Sequence, residues 1–226
     1  MGVVEVAIVE PNTTPERHNV LERLLAERGV DGYQPEQLKR DDFGKPYLEL
    51  NKRLIGYNYS SARFSTGSFG LIAIVDDCAL GIDIEQWTKQ PGNEVFLESI
   101  AAPEDERVRG MLGKYGHDVG IALWVIKEAA LKCSGEVMLE PSHLAVSMGR
   151  DGLFAVGPSQ LAKGAILECK VALYELQAKK WPDNLFLCAL AVPSIHEKKV
   201  SNLKNPKFKG VNWTLSAVGH ATHAKQ

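Results

Sequence analysis

Two short segments of the sequence combine charged side chains at a regular spacing. The first runs from Gly81 to Glu85 and reads Gly-Ile-Asp-Ile-Glu. On a β-strand alternate side chains share one face, so Asp83 and Glu85 project together while the two isoleucines face the core. Adjacent carboxylates repel one another unless a cation lies between them, and hard oxygen ligands favour Mg²⁺. A strand face with two solvated acids has the same pattern, so this segment alone leaves both interpretations open.

The second segment, residues 124–132, reads Trp-Val-Ile-Lys-Glu-Ala-Ala-Leu-Lys. On a helix, five of its side chains fall on adjoining strips three and four residues apart. These five are Trp124, Lys127, Glu128, Leu131 and Lys132. An aromatic ring, a carboxylate and two amines are an unusual set for a face that only packs against a core. A surface helix with a Glu128–Lys132 pair is the alternative interpretation.

Together the two segments predict one site for metal and phosphate. A third carboxylate, Glu128, completes an oxygen-rich metal site with Asp83 and Glu85, and Lys132 can meet a phosphate group. A metal bound to a pyrophosphate neutralises charge on the leaving group and orients it for attack. Glu128 is also the candidate general base toward an incoming hydroxyl.

The pair G-x-D-x-E and W-x-x-K-E-A-x-x-K, about forty residues apart, resembles the signature of the Sfp-type 4′-phosphopantetheinyl transferases. Two further segments extend the resemblance. Gly44-Lys45-Pro46 matches the family's G-K-P turn, and Phe64-Ser65-Thr66-Gly67 occupies the place of its S-H-S segment. The resemblance covers roughly Phe43 to Leu190.

The resemblance implies an α+β fold, that of the 4′-phosphopantetheinyl transferases. Two similar halves are related by a pseudo-twofold axis, each with helices packed on a small antiparallel sheet. It further implies Mg²⁺ as cofactor and coenzyme A as co-substrate, bound in the cleft between the halves. A serine of an acyl or peptidyl carrier protein attacks the β-phosphate and releases 3′,5′-ADP. A monomer is expected, because one chain supplies both sides of the cleft.

The same resemblance assigns roles to particular residues. Asp83, Glu85 and Glu128 bind Mg²⁺ together with the pyrophosphate, and Glu128 and Lys132 are the catalytic residues. The expected contacts to coenzyme A come from six residues: Lys45, Pro46, Ser65, Thr66, Asp83 and Lys132. Lys45 and Pro46 frame the adenine side of the cofactor.

The sequence departs from the family pattern in two places. Thr66 replaces the histidine of the S-H-S segment, and a hydroxyl carries no charge, so a lower affinity for coenzyme A is expected. Only 43 residues precede Gly44, which shortens the segment that grips the 3′-phosphate. Possible substitutes are Arg17, Arg23 and Arg40, although a solvated helix or loop position is the more common place for an arginine.

These departures leave two alternatives to an active transferase. One is a catalytically weak or inactive transferase-like module that binds a carrier protein or coenzyme A. The other is a magnesium-dependent phosphohydrolase with the same metal geometry. Three converging acids favour the enzyme, because a binding scaffold has no physical need for them.

The surrounding pattern predicts an α+β arrangement of helices followed by strands. A helix is expected to begin near Thr13, where a hydroxyl precedes a proline, and another to run from Ile121 to Cys133. Strands are predicted at Val3–Val9, Tyr47–Leu50, Arg63–Val75, Cys78–Glu85, Leu144–Met148, Leu153–Val156, Ala165–Leu173 and Leu185–Val192. The predicted divisions are a shortened N-terminal half at 1–79, a C-terminal half with the metal site at 80–193, and a loosely ordered basic tail at 194–226.

The bulk composition fits a cytoplasmic protein without membrane or nucleic-acid partners. The net charge is −2, and the longest apolar runs are far too short to span a bilayer. The N-terminus lacks a basic segment followed by an apolar stretch, so no secretory signal is predicted. Four scattered cysteines are expected to be reduced thiols.

Overall fold

The computed structural model describes residues 3–42, 44–50, 53–65, 67–87, 93–114, 118–136, 139–162, 167–178, 180–209 and 213–218. The strands are β1 Glu5–Val9, β2 Leu38–Arg40, β3 Pro46–Leu50, β4 Arg53–Phe64, β5 Gly67–Asp76, β6 Gly81–Trp87, β7 Leu144–Met148, β8 Phe154–Pro158, β9 Cys169–Ala178, β10 Leu185–Pro193, β11 Lys207–Lys209 and β12 Trp213–Val218. The α-helices are α1 Thr14–Ala26, α2 Glu94–Ile100, α3 Glu106–Lys114, α4 Val119–Ser134 and α5 Glu197–Asn202. This mixture of helices and sheets confirms the α+β class.

The strands form two sheets. The first has the order β11-β1-β5-β4-β3-β2, and the second has the order β6-β10-β9-β8-β7, with β12 also paired to β9. The pairing of β1 with β11 is parallel, and the other described pairs are antiparallel. β6 is an edge strand, so one of its two edges has no neighbouring strand within the described sheet and can contact other elements.

Three apolar clusters separate four layers. One cluster packs α1 against the outer face of the first sheet. A second lies between the two sheets. The third packs α4, with α2 and α3, against the outer face of the second sheet. The molecule is therefore layered helix, sheet, sheet, helix, and β6 has the sheet–sheet core on one face and α4 on the other.

The two predicted helices form where their end signals lie. The Thr13 side chain accepts a hydrogen bond from the backbone N–H of Glu16 at the start of α1, and a proline follows in the first turn. Asp118 caps α4 in the same way, and Gly135 ends it with φ of 86°. A left-handed residue at this position is favourable for glycine, which has no Cβ to clash.

The predicted strand Arg63–Val75 is wrong in its extent. It covers the turn of a hairpin in which residues 55–64 of β4 pair with the whole of β5, with Ser65 in the turn. The first of these strands escaped prediction because small and polar residues interrupt its apolar pattern. Thr66 lies outside the described residues.

The tail also differs from the expectation of loose order within its described part. Helix α5 and strands β11 and β12 lie in residues 197–218, and β11 pairs with β1. Lys209 Nζ lies 2.9 Å from Glu5 Oε1 and also contacts Glu27. The lysines that suggested a solvated terminus therefore include one that is used in an ion-pair network. The divisions 1–79 and 80–193, like the pseudo-twofold relation, remain predictions.

None of the described helices is both long and apolar enough to cross a bilayer.

Candidate functional site

Strand β6 presents its side chains as the sequence predicts. Ile82 and Ile84 are fully buried in the cluster between the sheets. Asp83 and Glu85 lie on the other face, toward α4, where Glu85 shares a hydrogen bond with the side chain of Trp124. The alternation therefore places both acids beside the helix that carries Glu128.

Gly81 allows β6 and α4 to approach closely. A Cβ at this position would lie 1.8 Å from the carbonyl oxygen of Ala129 and 2.7 Å from the backbone nitrogen of Cys133. A side chain larger than hydrogen would therefore force the strand away from the helix. The glycine of the G-x-D-x-E segment thus has a packing role that brings the acids of β6 within reach of α4.

Asp83 lies where three elements meet. Its Oδ1 accepts a hydrogen bond from Ser60 Oγ of β4 at 2.9 Å and lies 2.5 Å from Lys132 Nζ of α4. Its other oxygen, Oδ2, is buried and has no hydrogen-bond partner among the described residues. Asp83 is itself only 4% exposed. A buried carboxylate oxygen without a partner is costly, so this atom is a natural position for a bound cation or a donor.

The two glutamates of the site both carry raised pKa values. Burial, reinforced by the charge of Asp83, raises the pKa of Glu85, although a hydrogen bond with Trp124 opposes the shift. Burial also raises the pKa of Glu128, and the Asp83 charge adds to it while Lys132 opposes it. The negative charge of Asp83 therefore contributes to the raised pKa of both glutamates, as expected for carboxylates that lie close together.

The fit of this acid group to a metal can be judged from its donors. Within the described residues, no three His, Cys, Asp or Glu side chains are arranged so that they could already hold a metal ion. The side chains of Asp83, Glu85 and Glu128 offer only oxygen donors. One of these oxygens, Asp83 Oδ2, is buried and has no hydrogen-bond partner among the described residues. Such a set fits a small hard divalent cation such as Mg²⁺. The charge of Asp83 thus acts on both glutamates, and the three side chains offer the donor type that such a cation prefers.

A cleft of about 540 Å³ adjoins the acid group. It is lined by Thr14, Arg17, His18, Leu38, Arg40, Gly44, Lys45, Pro46, Tyr57, Asn58, Tyr59 and Lys132. These lining residues include four cationic side chains and no carboxylate. Lys132 belongs both to this wall and to the acid group, where it meets Asp83. The cleft is therefore suited to an anionic ligand whose charged part reaches the acids.

The cations of the cleft are held in different ways. The guanidinium of Arg17 lies 4.7 Å from the centre of the Tyr59 ring and donates a hydrogen bond to Thr14 Oγ1. Arg40 donates a hydrogen bond to the carbonyl oxygen of Gly44 at 2.6 Å. Lys45 Nζ donates to the carbonyl oxygen of Cys133, one of the last carbonyls of α4. Lys45 therefore joins the first sheet to the C-terminal end of that helix, where a cation is favourable.

The other residues predicted to contact coenzyme A, or to replace the family's basic segment, lie in different parts of the structure. Pro46 lines the cleft beside Lys45. Ser65 is exposed in the β4–β5 turn and does not line the cleft, so its expected contact with coenzyme A is not supported by this placement. Arg23 lines a separate small pocket beside Lys209. Thr66 is outside the described residues.

The structure adds one side chain to the site and removes another from it. Ser60 contacts Asp83, and it lies five residues before Ser65, about 17 Å away along an extended strand. Nothing in the sequence distinguished Ser60 from the other small and polar residues of β4. Lys127 was expected on a mixed stripe with Glu128 and Lys132, but it is completely buried and pairs with Asp105 at 2.6 Å. It is therefore unable to meet a phosphate in the cleft.

The comparisons with known proteins gave one match, which covers part of the chain. No match to the chain was found among the curated proteins. A match to a family does exist, and it covers the segment from the start of β6 to beyond β8, which includes Asp83, Glu85, Glu128 and Lys132. It does not include the cleft residues contributed by α1, β3 and β4. Residues 79–166 are similar to the 4′-phosphopantetheinyl transferase superfamily, whose family model they match.

Proposed function

We propose that the protein transfers the 4′-phosphopantetheine group of coenzyme A to a serine of an acyl or peptidyl carrier protein. The reaction would depend on Mg²⁺ and release 3′,5′-ADP, as in the Sfp-type transferases. One observation carries the proposal. Lys132 lines the cationic cleft and also contacts Asp83, so an anion in the cleft ends beside the acid group.

The acid group would hold the metal. Asp83 would contribute its open Oδ2, and Glu85 and Glu128 would supply further oxygens. When bound, Mg²⁺ neutralises charge on the pyrophosphate and makes 3′,5′-ADP a better leaving group. Burial, with a smaller contribution from the charge of Asp83, raises the pKa of Glu85 and of Glu128, and a bound cation would favour the ionised form of both groups.

The proton of the attacking serine needs an acceptor, and Glu128 is the candidate base. A general base works best when its pKa approaches the operating pH, and burial raises the pKa of Glu128 in that direction. Lys132, only 24% exposed in its side chain, would support the phosphate whose bond to the pantetheine oxygen is retained. The serine oxygen attacks that phosphorus, and the bond to the bridging pyrophosphate oxygen breaks.

The nucleotide end of coenzyme A would occupy the rest of the cleft. Arg17 and Arg40 offer guanidinium groups to its phosphates, and this supports them over Arg23 as substitutes for the family's basic segment. Lys45 and Pro46 would frame the adenine side, as the resemblance implies. In this arrangement the adenine and the ribose phosphate of coenzyme A would lie against the first sheet. The reacting phosphorus would lie beside α4.

The direct test is a mass measurement. The protein is mixed with coenzyme A, Mg²⁺ and a set of apo carrier proteins, and intact mass spectrometry follows the carriers. A phosphopantetheine adduct on a serine supports the transferase. Bound coenzyme A without an adduct on any carrier would indicate a binding module, and cleavage of the pyrophosphate without an acceptor would indicate a phosphohydrolase.

A further inference from the structure

A buried ion pair on α4 lies next to the acid group and is not used by the proposed chemistry. Lys127 and Asp105 have fully buried side chains, and Lys127 Nζ lies 2.6 Å from Asp105 Oδ2. Asp105 belongs to a short 3₁₀ turn, Pro103–Asp105, which leads into α3. Removing two charges from water is expensive, and apolar residues of similar volume would often stabilise a core equally well.

The charged atoms of the pair also form hydrogen bonds with backbone groups around them. Lys127 Nζ also donates to the carbonyl oxygen of Ile100 at 2.8 Å, at the end of α2. Asp105 Oδ2 accepts from the backbone N–H of Ala102 at 2.8 Å, and Oδ1 accepts from that of Val146 in β7 at 2.7 Å. Residues 100–105 and, through Asp105, strand β7 are thereby joined to one side chain of α4.

Hydrogen bonds are directional, whereas apolar contacts tolerate sliding and rotation. Two short bonds from Lys127 Nζ, one of them to an aspartate that two backbone N–H groups hold in turn, therefore oppose rotation of α4 about its own axis at Lys127. Successive residues on a helix are about 100° apart, so fixing Lys127 also fixes the direction of the next residue, Glu128. The close contact of Gly81 with Ala129 on the opposite side leaves the helix little room to adjust.

We propose that Lys127 is a positioning residue, which acts with Asp105 to hold Glu128 toward Asp83 and Glu85. The proposal rests on the proposed function, because Glu128 matters as a metal ligand and base only there. Lys127 itself touches neither the acids nor the cleft. Its effect is on the orientation of the helix that delivers one carboxylate to the group.

The test uses Mn²⁺ as a probe for the acid group and measures two properties of Lys127→Met. Mn²⁺ affinity is followed by the loss of the free-ion electron paramagnetic resonance signal, without coenzyme A or carrier. Steady-state transfer gives kcat and the KM for coenzyme A. Outer-shell partners of metal sites typically change affinity or activity by about 10–100-fold when removed. We expect losses of that size in Mn²⁺ affinity and in kcat, with the KM for coenzyme A unchanged.

Val108→Ala is the matched control. Val108 is buried in the same apolar cluster, on α3, and the substitution loosens the core without touching the ion pair. Wild-type Mn²⁺ affinity is expected for it. If Lys127→Met does not fold, Lys127→Gln, which keeps a donor but no charge, takes its place and is expected to show the same pattern to a smaller extent.

Two outcomes would overturn the positioning role while leaving the proposed function intact. Wild-type Mn²⁺ affinity and kcat in a folded but less stable Lys127 variant would mean that the pair only stabilises the core. Equal losses in Val108→Ala would mean that any loosening of the core disturbs the site. A wild-type protein that neither binds Mn²⁺ nor modifies a carrier would instead refute the proposed function, and the positioning role with it.

Discussion

Two lysine–aspartate pairs lie on opposite sides of α4, and they differ in what their atoms have left to bind. The pair of Lys127 with Asp105 is completely buried, and both Asp105 oxygens accept backbone hydrogen bonds as well. The pair of Lys132 with Asp83 is 24% and 5% exposed in its side chains, and Asp83 Oδ2 has no partner among the described residues. One pair is closed, and the other is open.

The difference separates structural from chemical use of the same residue types. A closed pair has no capacity for a ligand, so its bonds can serve only to hold segments together. An open pair beside a cationic cleft leaves an oxygen for a metal and an ammonium for a phosphate, at the cost of an unsatisfied group in the free protein. The two lysines are five residues apart on one helix, yet their surroundings give them separate tasks.

The largest expected effect tests whether chemistry belongs to the open side. Glu128→Gln removes the candidate base and one metal ligand, and transfer should fall by a factor on the order of 10²–10⁴. Circular dichroism and the melting temperature should stay close to those of the wild type. Glu106→Gln, on the exposed face of α3, is the control and should retain full activity. A fully active Glu128→Gln would exclude its proposed roles.

The two pairs can be compared directly by removing each amine. Lys127→Met leaves a buried carboxylate without its cation and should lower the free energy of unfolding by about 3–5 kcal/mol. Lys132→Met should cost less, about 1.5–3 kcal/mol, because water reaches the partly exposed pair. Urea denaturation of both variants at the same pH measures the difference. Equal losses would contradict the distinction between a closed and an open pair.

The cleft on the open side should recognise phosphate. Arg17→Gln should weaken coenzyme A binding about tenfold or more, since a charged hydrogen bond is worth about 1.5–3 kcal/mol. If Arg17 meets the 3′-phosphate, the variant should bind 3′-dephospho-coenzyme A as the wild type does, which calorimetry can show. Arg23→Gln on the same helix lies outside the cleft and should change neither affinity. Loss of affinity for both ligands would place Arg17 at another phosphate.

The close approach of β6 to α4 should keep Lys132 within reach of Asp83. Gly81→Ala introduces a Cβ against the Ala129 carbonyl and should lower the free energy of unfolding by about 1–3 kcal/mol. Because the strand must move, transfer activity should fall more than stability alone explains. Gly157→Ala in β8, where a Cβ meets only Glu168 at 3.4 Å, is the control. A stable and active Gly81→Ala would remove the packing argument.

The smallest effect concerns the charge of Glu85 beside the open pair and its effect on the stability of the fold. The raised pKa of Glu85 means that the folded protein binds its proton more tightly than the unfolded chain does. Ionised Glu85 therefore destabilises the metal-free fold at neutral pH, and this cost disappears as the pH falls through the raised pKa. Glu85→Gln should add about 0.5–2 kcal/mol of stability near pH 7. The gain should vanish near pH 4, and a gain independent of pH would point to another cause.

The acids and the helix that meets them could be predicted from the sequence because local rules govern them. Alternation along β6 determines that Asp83 and Glu85 share a face, and the capping residues of α4 determine its ends. The same rules failed for β4, whose small polar residues hide a strand that only pairing with β5 stabilises. They failed again for β11 and β12, which are strands because they pair with β1 and β9.

The sequence by itself determined the chemical groups of this protein and the local element on which each lies. The tertiary structure alone decided which lysine faces the cleft, which serine meets Asp83 and which arginines line the cleft. These outcomes depend on contacts between segments tens of residues apart, such as Lys127 with Asp105 and Lys132 with Asp83. Side-chain periodicity carries no information about such contacts, because it describes a residue's direction on its own element and not the element that lies opposite.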